Sequence, residues 1–161
     1  MIAAAAAMRN PGIIPQPAPR GYPGNLGLLF AAHADSARTA IVDLSAPAQP
    51  REISYRELDA MCEAVAGGCA QAGLKPGDRV GILSLNRVEF VATLLGCMRA
   101  GIVPVPVNIK LTADAIDFIL HDAGARIAFT ESPLRNLCPP GLRAVVYGSD
   151  GGEGFASFCM P

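Results

Sequence analysis

From Ser54 to Tyr147 the sequence repeats one unit: a short apolar run, a turn marked by glycine or proline, and a capped stretch with apolar residues at helical spacing. Ser54 and Glu57 form a capping box, in which the serine accepts from an early helical N–H and the glutamate reaches back. Leu58, Met61, Cys62, Val65 and Cys69 then recur at helix period, and Gly73 supplies a left-handed stop. Pro76, Gly77 and Asp78 turn the chain into an apolar strand at 79–83. Asn86 and Glu89 read as a second capping box, followed by the apolar helix of Val88, Val91, Leu94, Leu95 and Met98, ended by Gly101. A strand at 102–107 follows. Thr112 then caps a third helix, with Asp114 in its first turn, Ile116, Ile119, Leu120 and Ala123 on its inner face and Gly124 at its end. Strands at 126–130 and 143–147 complete the pattern.

Upstream, Asn25 is placed to cap a helix running to about residue 35, and 40–43 and 52–54 read as strands. The resulting β-α-β-α-β-α-β order predicts an α/β fold: a mostly parallel sheet with right-handed crossover helices on both faces. Pro104 and Pro106 share parity, so one side of their strand lacks two donors. That strand belongs at a sheet edge. The organisation expected is an extended, largely disordered lead-in at 1–24 with five prolines, an α/β subdomain at 25–147, and a glycine-rich loop and truncated end at 148–161.

Composition narrows the function classes. Of 161 residues, 51% are hydrophobic and 17% charged, which excludes a disordered or solvating chain. A net charge of −1 leaves no footprint for nucleic acid or an anionic membrane surface. The densest apolar run, 90–98, is too short to span a bilayer, and the alanine-rich start has no basic residue ahead of it, so no secretory signal is expected. Five cysteines at irregular spacing, with no C-x-x-C pair, read as reduced core thiols of a cytoplasmic protein.

Sheets of this type bind ligands beyond the C-terminal ends of their strands. Asn86, Asn108, Lys110 and Glu131 are the polar groups placed there, with Asn86, Asn108 and Lys110 as the candidate cofactor-binding residues. Each also has a plain role open to it: Asn86 as a helix cap, Asn108 as a brace for its turn, Lys110 as a solvated charge. The nucleotide signatures G-x-x-x-x-G-K-[ST] and G-x-G-x-x-G are absent, as is the G-x-S-x-G elbow. The glycine-rich stretch 148–154 carries two acids and no cation, which repels phosphate. His33 and His121 have no second ligand at helical spacing, and Cys97 sits within an apolar helix face. Neither a metal site nor a catalytic residue is assigned.

The order of segments resembles the N-terminal part of the AMP-forming acyl-CoA synthetase, or adenylate-forming, superfamily. The resemblance rests on TAIVD at 39–43, ISYREL at 53–58, LKPGDRVGI at 74–82, NRVEF at 86–90, and MRAGIVPVPVN at 98–108 running into KLT at 110–112. It covers about residues 25–147. It implies a ligase that joins a carboxylic acid to coenzyme A through an acyl-adenylate, consuming ATP with magnesium and releasing AMP and pyrophosphate. The family's phosphate loop and C-terminal lysine lie downstream of these motifs. The resemblance thus implies an N-terminal fragment that binds no cofactor and is inactive alone, with the missing C-terminal part of the same enzyme as its partner. Such a fragment exposes an apolar face open to self-association. Two other readings stay open: a naturally short, non-catalytic interaction module derived from such an enzyme, and an unrelated small doubly wound binding domain.

Overall fold

The computed structural model describes residues 24–148 and 153–160, so the lead-in and most of the glycine-rich stretch lie outside the described residues. The chain opens with two short 3-10 turns, Leu26–Leu28 and Ala31–His33, instead of the continuous helix expected from Asn25. Asn25 does cap the first turn, accepting from the Gly27 N–H at 2.8 Å. A longer helix is prevented from outside. Asn25 Nδ2 donates to the Arg99 carbonyl and Arg99 Nε to the Gly27 carbonyl, each at 3.2 Å, which anchors the segment to the end of a distant helix.

Strands β1 (Thr39–Asp43) and β2 (Arg51–Ser54) pair with each other, antiparallel, in a separate two-stranded sheet. The first strand of the expected β-α repeat therefore stands outside the parallel sheet. Helix α1 (Tyr55–Gln71) starts at the predicted capping box, with the Glu57 N–H donating to Ser54 Oγ and Ser54 N–H to Glu57 Oε2 at 2.7 Å. Then come β3 (Arg79–Leu83), α2 (Val88–Arg99), β4 (Val103–Pro106), α3 (Ala113–Asp122), β5 (Ala125–Glu131) and β6 (Arg143–Tyr147). A two-residue strand β7 (Glu153–Gly154) and a single helical turn α4 (Phe155–Phe158) end the described chain.

The main sheet has the order β4-β3-β5-β6-β7 and is parallel throughout. β4 is an edge strand, as its prolines require. Val103 and Val107 donate inward to the Asp78 and Ile82 carbonyls, so the nitrogens of Pro104 and Pro106 face outward, where no donor is needed. The move from β3 to β4 runs one way across the sheet and the move from β4 to β5 runs back. Crossovers of one hand then put α2 and α3 on opposite faces. On the α1/α2 face, Val65, Cys69, Val80, Cys97, Phe129 and Val145 form the largest core, closed by Phe158 of α4. On the other face Ile116 and Leu120 of α3 pack on Leu83 and Ala128. A third cluster, with Ile53, Leu58, Cys62, Val88 and Ala92, seats the β1–β2 pair against the two helices. Gly96 lets α1 and α2 meet closely: a Cβ there would lie 2.6 Å from the Cys62 carbonyl oxygen and from Val65 Cβ.

Candidate functional site

The chain leaves β3 toward one edge of the sheet and leaves β5 toward the other, so a crevice opens between their C-terminal ends. Glu131, the last residue of β5, spans it. Its Oε1 accepts from Ser84 Oγ at 2.7 Å and from the Leu85 N–H at 2.6 Å, and its Oε2 stands 3.7 Å from the Arg87 guanidinium. Arg87 is the centre of the site. Its Nε donates to Glu89 Oε2 at 2.8 Å and its guanidinium lies 5.3 Å from the centre of the Tyr147 ring. Beneath it the Tyr147 hydroxyl donates to Thr93 Oγ1 at 2.9 Å, both buried, and burial pushes the phenol well above its ordinary pKa. Burial opposes the Arg87 charge. Glu89, Glu131 and Asp43 more than offset it and raise its pKa.

Asp43, at the end of β1, closes the loop from the other side. Its Oδ2 accepts from the Val88 N–H at 3.1 Å and its Oδ1 from the Ser45 N–H at 2.8 Å. Burial raises this carboxyl, but the hydrogen bonds from Ser45 and Val88 and the nearby Arg51 outweigh it and hold the pKa below the ordinary value. The first N–H of α2 is thus satisfied by a residue 45 positions away. Arg87 occupies the N-cap position with no side-chain cap, and Glu89 turns to Arg87, so Asn86 and Glu89 do not form the expected capping box.

Freed from capping, Asn86 is exposed on an open groove of about 430 Å³ that it shares with Ile41, Asp43, Leu44, Arg87 and Val91. Asn108 braces its turn, its Oδ1 accepting from the Lys110 N–H at 3.0 Å, and Lys110 is exposed in the same loop. That loop follows β4, beside β3, and lies outside the Asn86 groove. Glu131 is in the crevice, engaged in holding the β3–α2 loop. Sequence reasoning missed Arg87, Asp43, Thr93 and Tyr147. Arg87 carried a readable signal, as the one cation between two residues already singled out. Asp43 carried none, because its partner is set only by the tertiary fold.

The chemistry of this crevice is that of a held loop, not of an anion cradle. Asp43, Glu89 and Glu131 surround one guanidinium, so the local charge repels a triphosphate, and the residues present do not fit ATP. Among the described residues no group of three or more His, Cys, Asp or Glu is disposed to hold a metal. His33 packs on Tyr55 with ring centres 5.3 Å apart, and His121 is exposed in the last turn of α3. Cys97 is buried, and burial pushes Cys62 up to about 11, so neither is an activated nucleophile. No helix among the described residues is long and apolar enough to cross a membrane.

The sequence model of the AMP-binding enzyme family matches residues 30–150. The chain belongs to that family. Over 81 residues, half of this chain and 16% of the relative, it is 40% identical to the fatty acid–[acyl-carrier-protein] ligase ScoC of Streptomyces coeruleorubidus. Over 87 residues, 54% of this chain and 17% of the relative, it is 32% identical to the long-chain-fatty-acid–CoA ligase FadD13 of Mycobacterium tuberculosis. The structure superposes on the N-terminal domain of FACL13 from Mycobacterium tuberculosis with a TM-score of 0.71 at 27% identity, covering 84% of this chain and 36% of that one. It shares its fold with a benzoate CoA ligase from Burkholderia xenovorans, at TM-score 0.74 and 22% identity over 84% of this chain and 28% of the other. This member of the AMP-binding family spans about a sixth of the length of the curated relatives it matches.

Proposed function

We propose that the chain is the N-terminal segment of an ATP-dependent acid–CoA ligase, which converts a carboxylic acid, ATP and coenzyme A to acyl-CoA, AMP and pyrophosphate. The observation that carries this reading is the family match across residues 30–150, in a chain whose aligned stretches cover only 16–17% of the ligases it resembles. The segment is a scaffold. It presents the β3–α2 loop, with Asn86 exposed, and the β4–α3 loop, with Asn108 and Lys110, at the end of the sheet where ligands gather. ATP, magnesium and the reacting thiol are held chiefly by the remainder of the enzyme, because the acidic setting of Arg87 does not suit phosphate. Val42, Leu44 and Leu85 are 52%, 60% and 60% exposed beside the groove and form the face on which that remainder packs. Left uncovered, the same face drives self-association. The five free thiols fit a cytoplasmic enzyme.

The test is ATP–pyrophosphate exchange, run on the full-length gene product and on this chain alone. The panel holds aliphatic and aromatic acids, since relatives named for both match at similar identity. Exchange by the full-length protein with at least one acid, and none by the chain alone, is expected. Exchange by the chain alone, or a full-length product inert toward every acid, overturns the proposal.

A further inference from the structure

Cys69 on α1 and Cys97 on α2 face each other across the helix contact, their sulfurs 3.9 Å apart and both fully buried. The approach follows from Gly96, next to Cys97, and Val65, one turn before Cys69, where the two helices touch. α4 is the cover over the pair. Its Phe158 lies against Gly68, the residue before Cys69, and its ring meets Phe129 edge-on at 5.1 Å. We propose that Cys69 and Cys97 form a reversible disulfide that staples α1 to α2 when the protein meets a small-molecule disulfide of the glutathione type.

The sulfurs need to close by about 1.9 Å to reach bonding distance, which side-chain rotation across a tight helix contact supplies. With the Cys97 thiol as donor, the hydrogen bond between them favours negative charge on Cys69 and disfavours it on Cys97, which makes Cys69 the attacking sulfur. Its thiolate attacks the small disulfide, releasing one small thiol and leaving a mixed disulfide. With α4 lifted, the Cys97 thiol gives up its proton to solvent and its sulfur attacks the Cys69 sulfur of the mixed disulfide, displacing the second small thiol. Two protein thiols are oxidised, the reagent is reduced to two thiols, and the protons from the cysteines pass through solvent to the leaving thiolates. In a reducing compartment the pair rests as thiols. The bond forms only when α4 lifts and oxidant is present.

The experiment exposes the chain to oxidised glutathione, then alkylates it under denaturing conditions and measures intact mass and tryptic peptides. The expected result is loss of two hydrogens, a fall in alkylatable thiols from five to three, a peptide bridging Cys69 to Cys97, and a melting point raised by several degrees that dithiothreitol reverses. Phe158→Ala loosens the cover and is expected to reach the same product several-fold faster. A bridge between any other two cysteines overturns the proposal. So do five alkylatable thiols or a persistent glutathione adduct in both the native chain and the Phe158→Ala chain.

Discussion

Helices α1 and α2 begin with nearly the same text and are started by different means. At α1, Ser54 and Glu57 close a capping box within four residues. At α2, Asn86 and Glu89 have the same spacing, yet Asp43 caps the helix from β1 and Glu89 pairs with Arg87. The helix that faces solvent at its start is capped locally. The helix that starts at the C-terminal end of the parallel strands takes its cap from a distant residue, which leaves Asn86 and Arg87 lining the groove. A capping motif is therefore a statement of local preference. A buried carboxylate arriving from another strand overrides it, because an unmet buried N–H costs about 1–3 kcal/mol.

The contrast can be broken at several levels. Gly96→Ala strikes the contact that both helices share. The added Cβ would lie 2.6 Å from the Cys62 carbonyl oxygen and from Val65 Cβ, so overpacking costs about 3 kcal/mol, read from the denaturation midpoint, and affects both helices equally. Asp43→Ala leaves the Val88 N–H unpaired and costs about 2 kcal/mol, with hydrogen exchange accelerated at Val88 and not at Glu57. Asp43 also carries a pH signature. Its folded pKa is lowered, so its contribution is complete above the ordinary aspartate value of about 3.9 and is lost as pH falls through the folded value. Asp43→Asn flattens the stability profile in that acid window. Ser54→Ala costs about 1 kcal/mol, with exchange accelerated at Glu57 and not at Val88. Asn86→Ala changes stability by less than about 0.5 kcal/mol, since Asn86 caps nothing. A loss as large as that of Ser54→Ala would restore the local capping box at α2.

The parts of the fold that were legible in sequence rest on short-range rules. Three apolar helices, two of the five strands of the parallel sheet to the residue and two more within a residue at each end, the positive-φ stops at Gly73, Gly101 and Gly124, and the edge position of β4 all follow from period, caps and proline. What failed rests on contacts distant in sequence. The segment after Asn25 is drawn into two short turns by Arg99, more than seventy positions on. β1 and β2 pair with each other because their residues Ile41 and Ile53 join the outer cluster against α1 and α2. The candidate site was half legible. The rule of the strand ends found Asn86 and Glu131. It missed Arg87, which gains its importance from Glu131 and Tyr147, and Asp43, whose hydrogen bond crosses 45 positions.

The prolines of β4 give the main sheet two unlike ends. Along β4 the outward positions 104 and 106 present carbonyls without N–H groups, so an incoming strand finds acceptors and no donors. Hydrogen-bonded growth by strand addition is blocked along that edge. β7 at the opposite end carries no such block. A sheet that can be extended from one side only cannot stack copies of itself into a continuous ribbon.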